Sequence, residues 1–387
     1  MRKSLSAVVA VTVLILPTQS SQAANPKIGT TCNKLNLKQA SAGKIYTCIK
    51  SGKKLIWDSG IPSPNSSPLS HNSEYEKTKF KAYNNIRAEA DKGNLDNVSI
   101  SYHVSDYFPK DLLALYKSQV EYASKLYGSF FSKKENINIY LYTEKDEEYL
   151  KSEKLFSQDM PDHSQWFQAW REGRDQQHNL GLAAWYMEYP NQEDWAGHAG
   201  LLVYSGATTS SLRKYAIQVM PHEYWHVVQD YYIQKGRGTF FTDQDSYDRM
   251  FPPTFREGSA NTISFALASN SPQDYLALYK DFITTKKMDS SMTTFKTLTS
   301  TQAVVKTLGQ IETRNGFAEA HEASYSIGSL LYEWVIAEYG FPAYRKLIEN
   351  QLIGKSFADN VKASLGISVE EMYNGAAPHI LEAFRQG

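Results

Sequence analysis

Cysteine is scarce in this 387-residue chain, which contains only Cys32 and Cys48. A long hydrophobic run is absent after about the first 18 residues, and this excludes a membrane span from the rest of the chain. An excess of charge of either sign is also absent, because 41 Lys and Arg residues balance 41 Asp and Glu residues. The chain therefore lacks the basic footprint typical of nucleic-acid-binding proteins. With 42% hydrophobic and 21% charged residues, it has the composition of a globular protein with room for a sizeable core.

The N-terminus has the three parts of a secretory signal peptide. Arg2 and Lys3 precede an apolar stretch at residues 5–16, and small residues flank Gln22 before a cleavage point. We predict that residues 1–24 are a signal peptide and that the mature chain is secreted or held at the cell surface. Association with the cell wall is compatible with this route. The alternative, an uncleaved membrane anchor, requires about 20 apolar residues.

The two cysteines lie sixteen positions apart, shortly after this segment. In an oxidising compartment, such an isolated pair most simply forms one disulfide. Two free thiols or half a metal site are the alternatives, but no histidine lies between or near the pair. We expect residues 25–60 to form a small disulfide module, which resembles a Cys-pair module found near the N-termini of secreted actinobacterial proteins.

Residues 61–74 are rich in proline and serine and contain no apolar cluster, which is typical of a linker. The main domain is therefore predicted at residues 75–387. Its first half contains both strand-like and helix-like hydrophobic patterns. Its second half is helical almost throughout, from residue 318 to the end. The fold class is α+β, with strands expected at 97–107, 137–142 and 200–204, and helices at 109–131 and 211–234, the latter kinked or restarted at Pro221.

The segment that carries chemistry is His222-Glu223-Tyr224-Trp225-His226. Residues four apart on a helix share a face, so His222 and His226 are predicted to bind one metal ion. Zn²⁺ suits this spacing because it is a Lewis acid that acidifies water. Glu223 is turned about 100° from His222, and we expect it to be the general base that takes a proton from the attacking water.

A catalytic zinc needs a third protein ligand and one open position. The extension HExxHxxGxxH is not present, because Gln229 and Tyr232 occupy the places of its glycine and third histidine. We predict that Glu257, in the run Glu257-Gly258-Ser259-Ala260-Asn261, is the third ligand. A surface carboxylate is the alternative for Glu257. Asn261 lies four residues later, where it could hydrogen-bond the outer nitrogen of a liganding histidine.

HEYWH followed by EGSAN resembles the gluzincin metallopeptidases. The resemblance implies a zincin-like domain in which His222, His226 and Glu257 bind zinc and Glu223 is the base. Many members have an acidic residue four positions after the third ligand, where this chain has Asn261. Asp230 is the alternative carboxylate for that role.

The resemblance also implies a tyrosine or histidine that stabilises the oxyanion of the reaction, and the candidates are Tyr325 and His321, four residues apart. Edge strands bind the substrate backbone in this family, and we assign that role to residues 198–204.

The predicted function is that of a secreted zinc peptidase acting on a peptide or protein substrate. One alternative is a cell-surface binding or assembly protein whose zinc is structural and closed by a fourth protein ligand. Another is a zinc amidase that hydrolyses cell-wall amides.

Overall fold

A computed structural model of the chain describes most of its length, in segments that fall into two compact units, Met1–Asn72 and Ser73–Gly387. The predicted signal peptide at 1–24 and most of the predicted linker at 61–74 lie outside the described residues. The segments described are 30–41, 44–52, 54–58, 61–62, 73–146, 180–188, 195–203, 209–237, 251–289, 292–313, 320–350 and 356–386.

The first unit contains a small antiparallel sheet in which the long strand β2 pairs with each of its neighbours. Cys32 and Cys48 form a disulfide with their Cα atoms 5.9 Å apart, which confirms the predicted bridge. Cys48 is buried on β2, opposite Trp57. Since disulfides persist in oxidising compartments, the bridge indicates an extracytoplasmic location. The strands are β1 (Lys38–Ser41), β2 (Lys44–Ser51), β3 (Lys54–Trp57) and β4 (Ile61–Pro62).

The second unit begins with helix α1, which is followed by strand β5, helix α2 and the strands β6, β7 and β8. Its four-stranded sheet has the order β5-β6-β8-β7, parallel except for β7, which pairs with β8 in the antiparallel sense at one edge. Ile137, Ile139 and Leu141, at alternate positions of β6, are fully buried. The elements are α1 (Glu74–Lys92), β5 (Val98–Val104), α2 (Lys110–Gly128), β6 (Glu135–Thr143), β7 (Leu180–Glu188) and β8 (Trp195–Val203).

The strand assigned above to substrate binding is not an edge strand. β8 pairs with β6 on one side and with β7 on the other, so its backbone groups are used within the sheet. The prediction that residues 198–204 form an edge strand is therefore wrong. The described edge strands are β5 and β7, and the second of these was not predicted at all.

The rest of the second unit is helical, as the sequence predicts. Helix α3 runs continuously through Pro221, so the predicted alternative of a second helix starting there is wrong. Helix α7 is broken at Gly340, whose φ of 79° lies in the left-handed region. The helices are α3 (Thr209–Arg237), α4 (Ser259–Ala268), α5 (Pro272–Met288), α6 (Thr301–Thr313), α7 (Ala320–Glu349), α8 (Phe357–Leu365) and α9 (Val369–Gln386).

These elements confirm an α+β class with a mixed first half and a helical second half. Helix α3 packs on β7 and β8 on one side and on α4 and α2 on others, which places it at the centre of the unit. In the described segments, no helix combines the length and the hydropathy that a membrane crossing requires.

Candidate metal centre

His222 and His226 lie four positions apart on helix α3 and so share one face, while other faces of the helix are held in the core. Tyr224 and Trp225, between the two histidines, are fully buried. The hydroxyl of Tyr127 donates to the carbonyl of Pro221 at 2.7 Å, and the indole of Trp225 donates to Ser259 Oγ at 3.2 Å. These contacts fix the rotation of the helix, so both imidazoles point the same way.

The third predicted ligand comes from a different element and reaches the same point. Glu257 lies in a π-helical turn, Thr254–Gly258, directly before α4. Its Oε2 atom is 3.5 Å from His222 Nε2 and 3.3 Å from His226 Nε2, and the two Nε2 atoms are 3.1 Å apart. Arg256 Nε donates to the other carboxylate oxygen, Oε1, at 2.9 Å. The carboxylate therefore presents one oxygen to the histidines.

The spacing of these three atoms fits a divalent cation. Tetrahedral coordination with bonds of about 2.0–2.2 Å places neighbouring donor atoms about 3.3 Å apart. The three side chains form a group whose ligand atoms lie within 4.8 Å of one another, the only group of three or more His, Cys, Asp or Glu found in the described segments. Glu257 Oε2 is buried, and it faces the Nε2 atoms of both histidines. Three donor atoms brought this close repel one another unless a proton or a metal ion lies between them, so the group could hold a metal ion.

The pKa values of the metal-free protein agree with this. Burial alone would lower the pKa of His226, but the carboxylate of Glu257 outweighs it and raises that pKa to about 9. Burial would raise the pKa of Glu257, but the charge of His226 holds it well below its usual range. A proton thus supplies positive charge where a cation would otherwise do so.

Glu223 is buried beside the same group. Burial raises the pKa of its carboxyl; the nearby imidazoles lower that pKa and the charge of Glu257 raises it. Such a carboxylate is a stronger base than an exposed one, and it is close enough to the three donors for their charges to act on it.

The outer nitrogens of both histidines are bound by carboxamides. Asn261 Oδ1 lies 2.8 Å from His222 Nδ1, the contact that the sequence spacing suggested. Gln229 Oε1 lies 2.7 Å from His226 Nδ1. The residue at this nitrogen is thus Gln229, three positions after His226, and Asp230, the predicted alternative carboxylate, is the next residue along α3. Sequence reasoning missed Gln229 and also Arg256, which precedes the third ligand.

The two candidates for oxyanion stabilisation lie on α7. The ring of Tyr325 stacks on His222, with ring centres 5.7 Å apart, so Tyr325 borders the site. Burial raises the pKa of its hydroxyl well above the usual value, and the charges of Glu257 and Glu223 add to this. The side chain of His321 lies outside the described part of the chain.

Comparison of the chain with protein-family models, with curated proteins and with solved structures finds no match. Function is therefore inferred from the chemistry of the site.

Proposed function

We propose that this protein is a secreted zinc-dependent peptidase of the gluzincin type. The observation that carries the proposal is the convergence of His222, His226 and Glu257, from two elements, at 3.1–3.5 Å, with Glu223 buried beside them. Two imidazoles and one carboxylate are a donor set typical of catalytic zinc in peptidases.

The number of donors favours catalysis over a structural role. A structural zinc is closed by four protein ligands, whereas the described residues contribute three. When bound, a zinc ion would supply Lewis acidity, which polarises a carbonyl and acidifies water.

The residues around the donors have the properties that hydrolysis requires. Glu223, with its raised pKa, would accept a proton from the attacking water and deliver it to the leaving nitrogen. Tyr325, whose pKa is raised well above the usual value, keeps its proton at neutral pH and would donate a hydrogen bond to the developing oxyanion.

The edge strand β7 is the element suited to bind an extended peptide. It is paired on one side only among the described strands, and it packs beside α3, which carries both histidines. An extended substrate could add to such an edge through backbone hydrogen bonds. This assigns to β7 the role first predicted for residues 198–204.

The test is hydrolysis of casein by the zinc-loaded protein and by a Glu223→Gln variant. Loss of the general base should lower kcat by about 10²–10⁴-fold while zinc remains bound. Glu121→Gln, an exposed change on α2, is the matched control and should leave the rate unchanged. Equal rates for the wild type and Glu223→Gln would refute the mechanism.

Peptidoglycan, assayed in parallel, separates the proposal from its closest alternative. Hydrolysis of peptidoglycan with no action on casein would replace the peptidase by an amidase that uses the same donors. Tight zinc binding with neither activity would favour the structural role.

A further inference from the structure

We infer that Gln229 is a positioning residue, the counterpart at His226 of Asn261 at His222, and that it holds the His226 imidazole in the tautomer whose Nε2 lone pair faces a divalent cation. The inference rests on the metal site of the proposed function and not on peptide hydrolysis. It assigns to Gln229 a role that no sequence motif suggested.

The orientation of the Gln229 amide is determined by its other contacts. Its Nε2 atom donates to the carbonyl of Arg256 at 3.1 Å and to Ser259 Oγ at 2.9 Å. A carbonyl oxygen only accepts, so the atom facing Arg256 must be the nitrogen. The atom facing His226 is then the amide oxygen, which only accepts, and His226 Nδ1 must carry the proton.

The same reasoning applies to Asn261. Its Nδ2 atom donates to the carbonyl of Tyr325 at 3.1 Å, so its Oδ1 atom faces His222. His222 Nδ1 must therefore be the donor. In a neutral imidazole with a proton on Nδ1, the Nε2 atom holds a lone pair, and both Nε2 atoms face Glu257.

Both amides also tie the donors to their surroundings. Gln229 joins α3 to the turn that carries Glu257, because the residue whose carbonyl it binds is Arg256. Asn261 joins α4 to α7 through Tyr325. One side chain thus orients a histidine and links it to the element of another functional residue.

The experiment compares two substitutions of Gln229 in the full chain. The Kd for Zn²⁺ is measured by competition with a chromophoric chelator, and the visible spectrum of the Co²⁺-loaded protein reports the coordination geometry. Gln229→Leu removes the acceptor and should weaken Zn²⁺ binding by about 10–100-fold and alter the Co²⁺ spectrum. Gln229→Glu keeps an acceptor for Nδ1 and should retain the wild-type affinity or exceed it.

This pair separates positioning from a purely structural tether. Both variants lose the bond to the Arg256 carbonyl, so a role confined to that link predicts equal weakening by both, and that result would overturn the inference. Unchanged affinity in Gln229→Leu would also overturn it. At His222, Asn261→Leu should likewise weaken Zn²⁺ binding and Asn261→Asp should retain it. The control is Gln119→Leu, a half-buried change on α2, which should leave the Zn²⁺ affinity unchanged.

The failure of the inference and the failure of the proposed function give different results. Metal binding that follows this pattern without casein hydrolysis supports the inference and contradicts only the peptidase. Wild-type protein that takes up neither Zn²⁺ nor Co²⁺ would overturn both.

Discussion

At the scale of single residues, the second unit buries a cluster of ionisable groups away from the candidate metal centre. Lys79 Nζ lies 3.0 and 2.8 Å from the two carboxylate oxygens of Glu333, and His379 Nε2 lies 2.7 Å from one of them. Lys79 Nζ also lies 3.4 Å from the ring centre of Tyr279. Burial lowers the pKa of Lys79 to about 8 despite the nearby carboxylate, because a buried site disfavours the charged form. The cluster joins α1, α7 and α9, and removal of one charged partner would leave another buried without compensation.

His379 makes one contribution to the pH dependence of stability. Burial lowers the pKa of His379, although Glu333 partly opposes this. Below about pH 6.5 the unfolded chain binds a proton at this residue that the folded chain does not, so the free energy of unfolding should decrease as the pH is lowered. The slope from this group is at most about 1.4 kcal/mol per pH unit.

Urea unfolding at pH 7, 6 and 5 checks this on the wild type and on His379→Gln, which keeps a donor for Glu333. The variant should lose less stability between pH 7 and pH 5 than the wild type. Identical losses would contradict a lowered pKa at His379.

At the scale of elements, the turn that carries Glu257 is set by its contact with α7. A Cβ atom on Gly258 would lie 2.3 Å from the carbonyl carbon of Gly328, so a side chain cannot fit without displacement of the turn. The turn therefore rests directly on the α7 backbone, three residues from Tyr325. This explains why a glycine follows the third predicted ligand.

Gly258→Ala should destabilise the fold by about 1–3 kcal/mol, because the added methyl group forces the turn away from α7. It should also weaken Zn²⁺ binding, since Glu257 moves with the turn. Gly309→Ala, in α6, is the matched control: a Cβ there meets no described atom within 4 Å, and stability should stay equal or rise by about 0.5–1 kcal/mol. Thermal unfolding and chelator competition measure both effects, and equal behaviour of the two variants would contradict the close contact.

The sequence predicted the parts of the site that depend on local periodicity. Helical spacing places His222 and His226 on one face, and it places Asn261 one turn beyond Glu257. The same periodicity cannot choose between Gln229 and Asp230, because residues three and four positions after His226 lie on the same face. The choice depends on the turn at Arg256, which the fold brings to α3 from outside that helix.

Local sequence patterns also could not predict contacts between segments that are distant along the chain. The interior position of β8 depends on pairing with β7, a strand whose apolar pattern gave no clear signal. Lys79 and Glu333 are 254 positions apart, and nothing in the spacing of either residue indicates the other.

At the scale of the whole molecule, the candidate site joins elements that are separate along the chain. The histidines come from α3, the carboxylate from the turn before α4, and Tyr325 from α7, which packs against that turn and against α1 and α9. The three donors are together only in the folded state. Metal binding should therefore stabilise the entire unit.

Zn²⁺ at 100 times its Kd should raise the free energy of unfolding by about 2.7 kcal/mol, because the ion binds the folded chain and not the unfolded one. Chelation should reverse the gain, and His226→Ala should abolish it. His103→Ala changes a histidine on β5 that bonds Asn138, and it should keep the full zinc-dependent gain. Thermal unfolding with and without Zn²⁺ measures the effect, and an equal gain in His226→Ala would remove that residue from the donor set.

The carboxamide partners of the two histidines have one more consequence. Aspartate or glutamate in their place would lose its negative charge in an acidic medium and bind the rings more weakly, whereas the amides do not titrate there. A protein outside the cytoplasm encounters fluids whose composition the cell does not regulate. Gln229 and Asn261 would keep the rings aligned across such changes, so loss of the ion in acid would arise from protonation of the donors themselves.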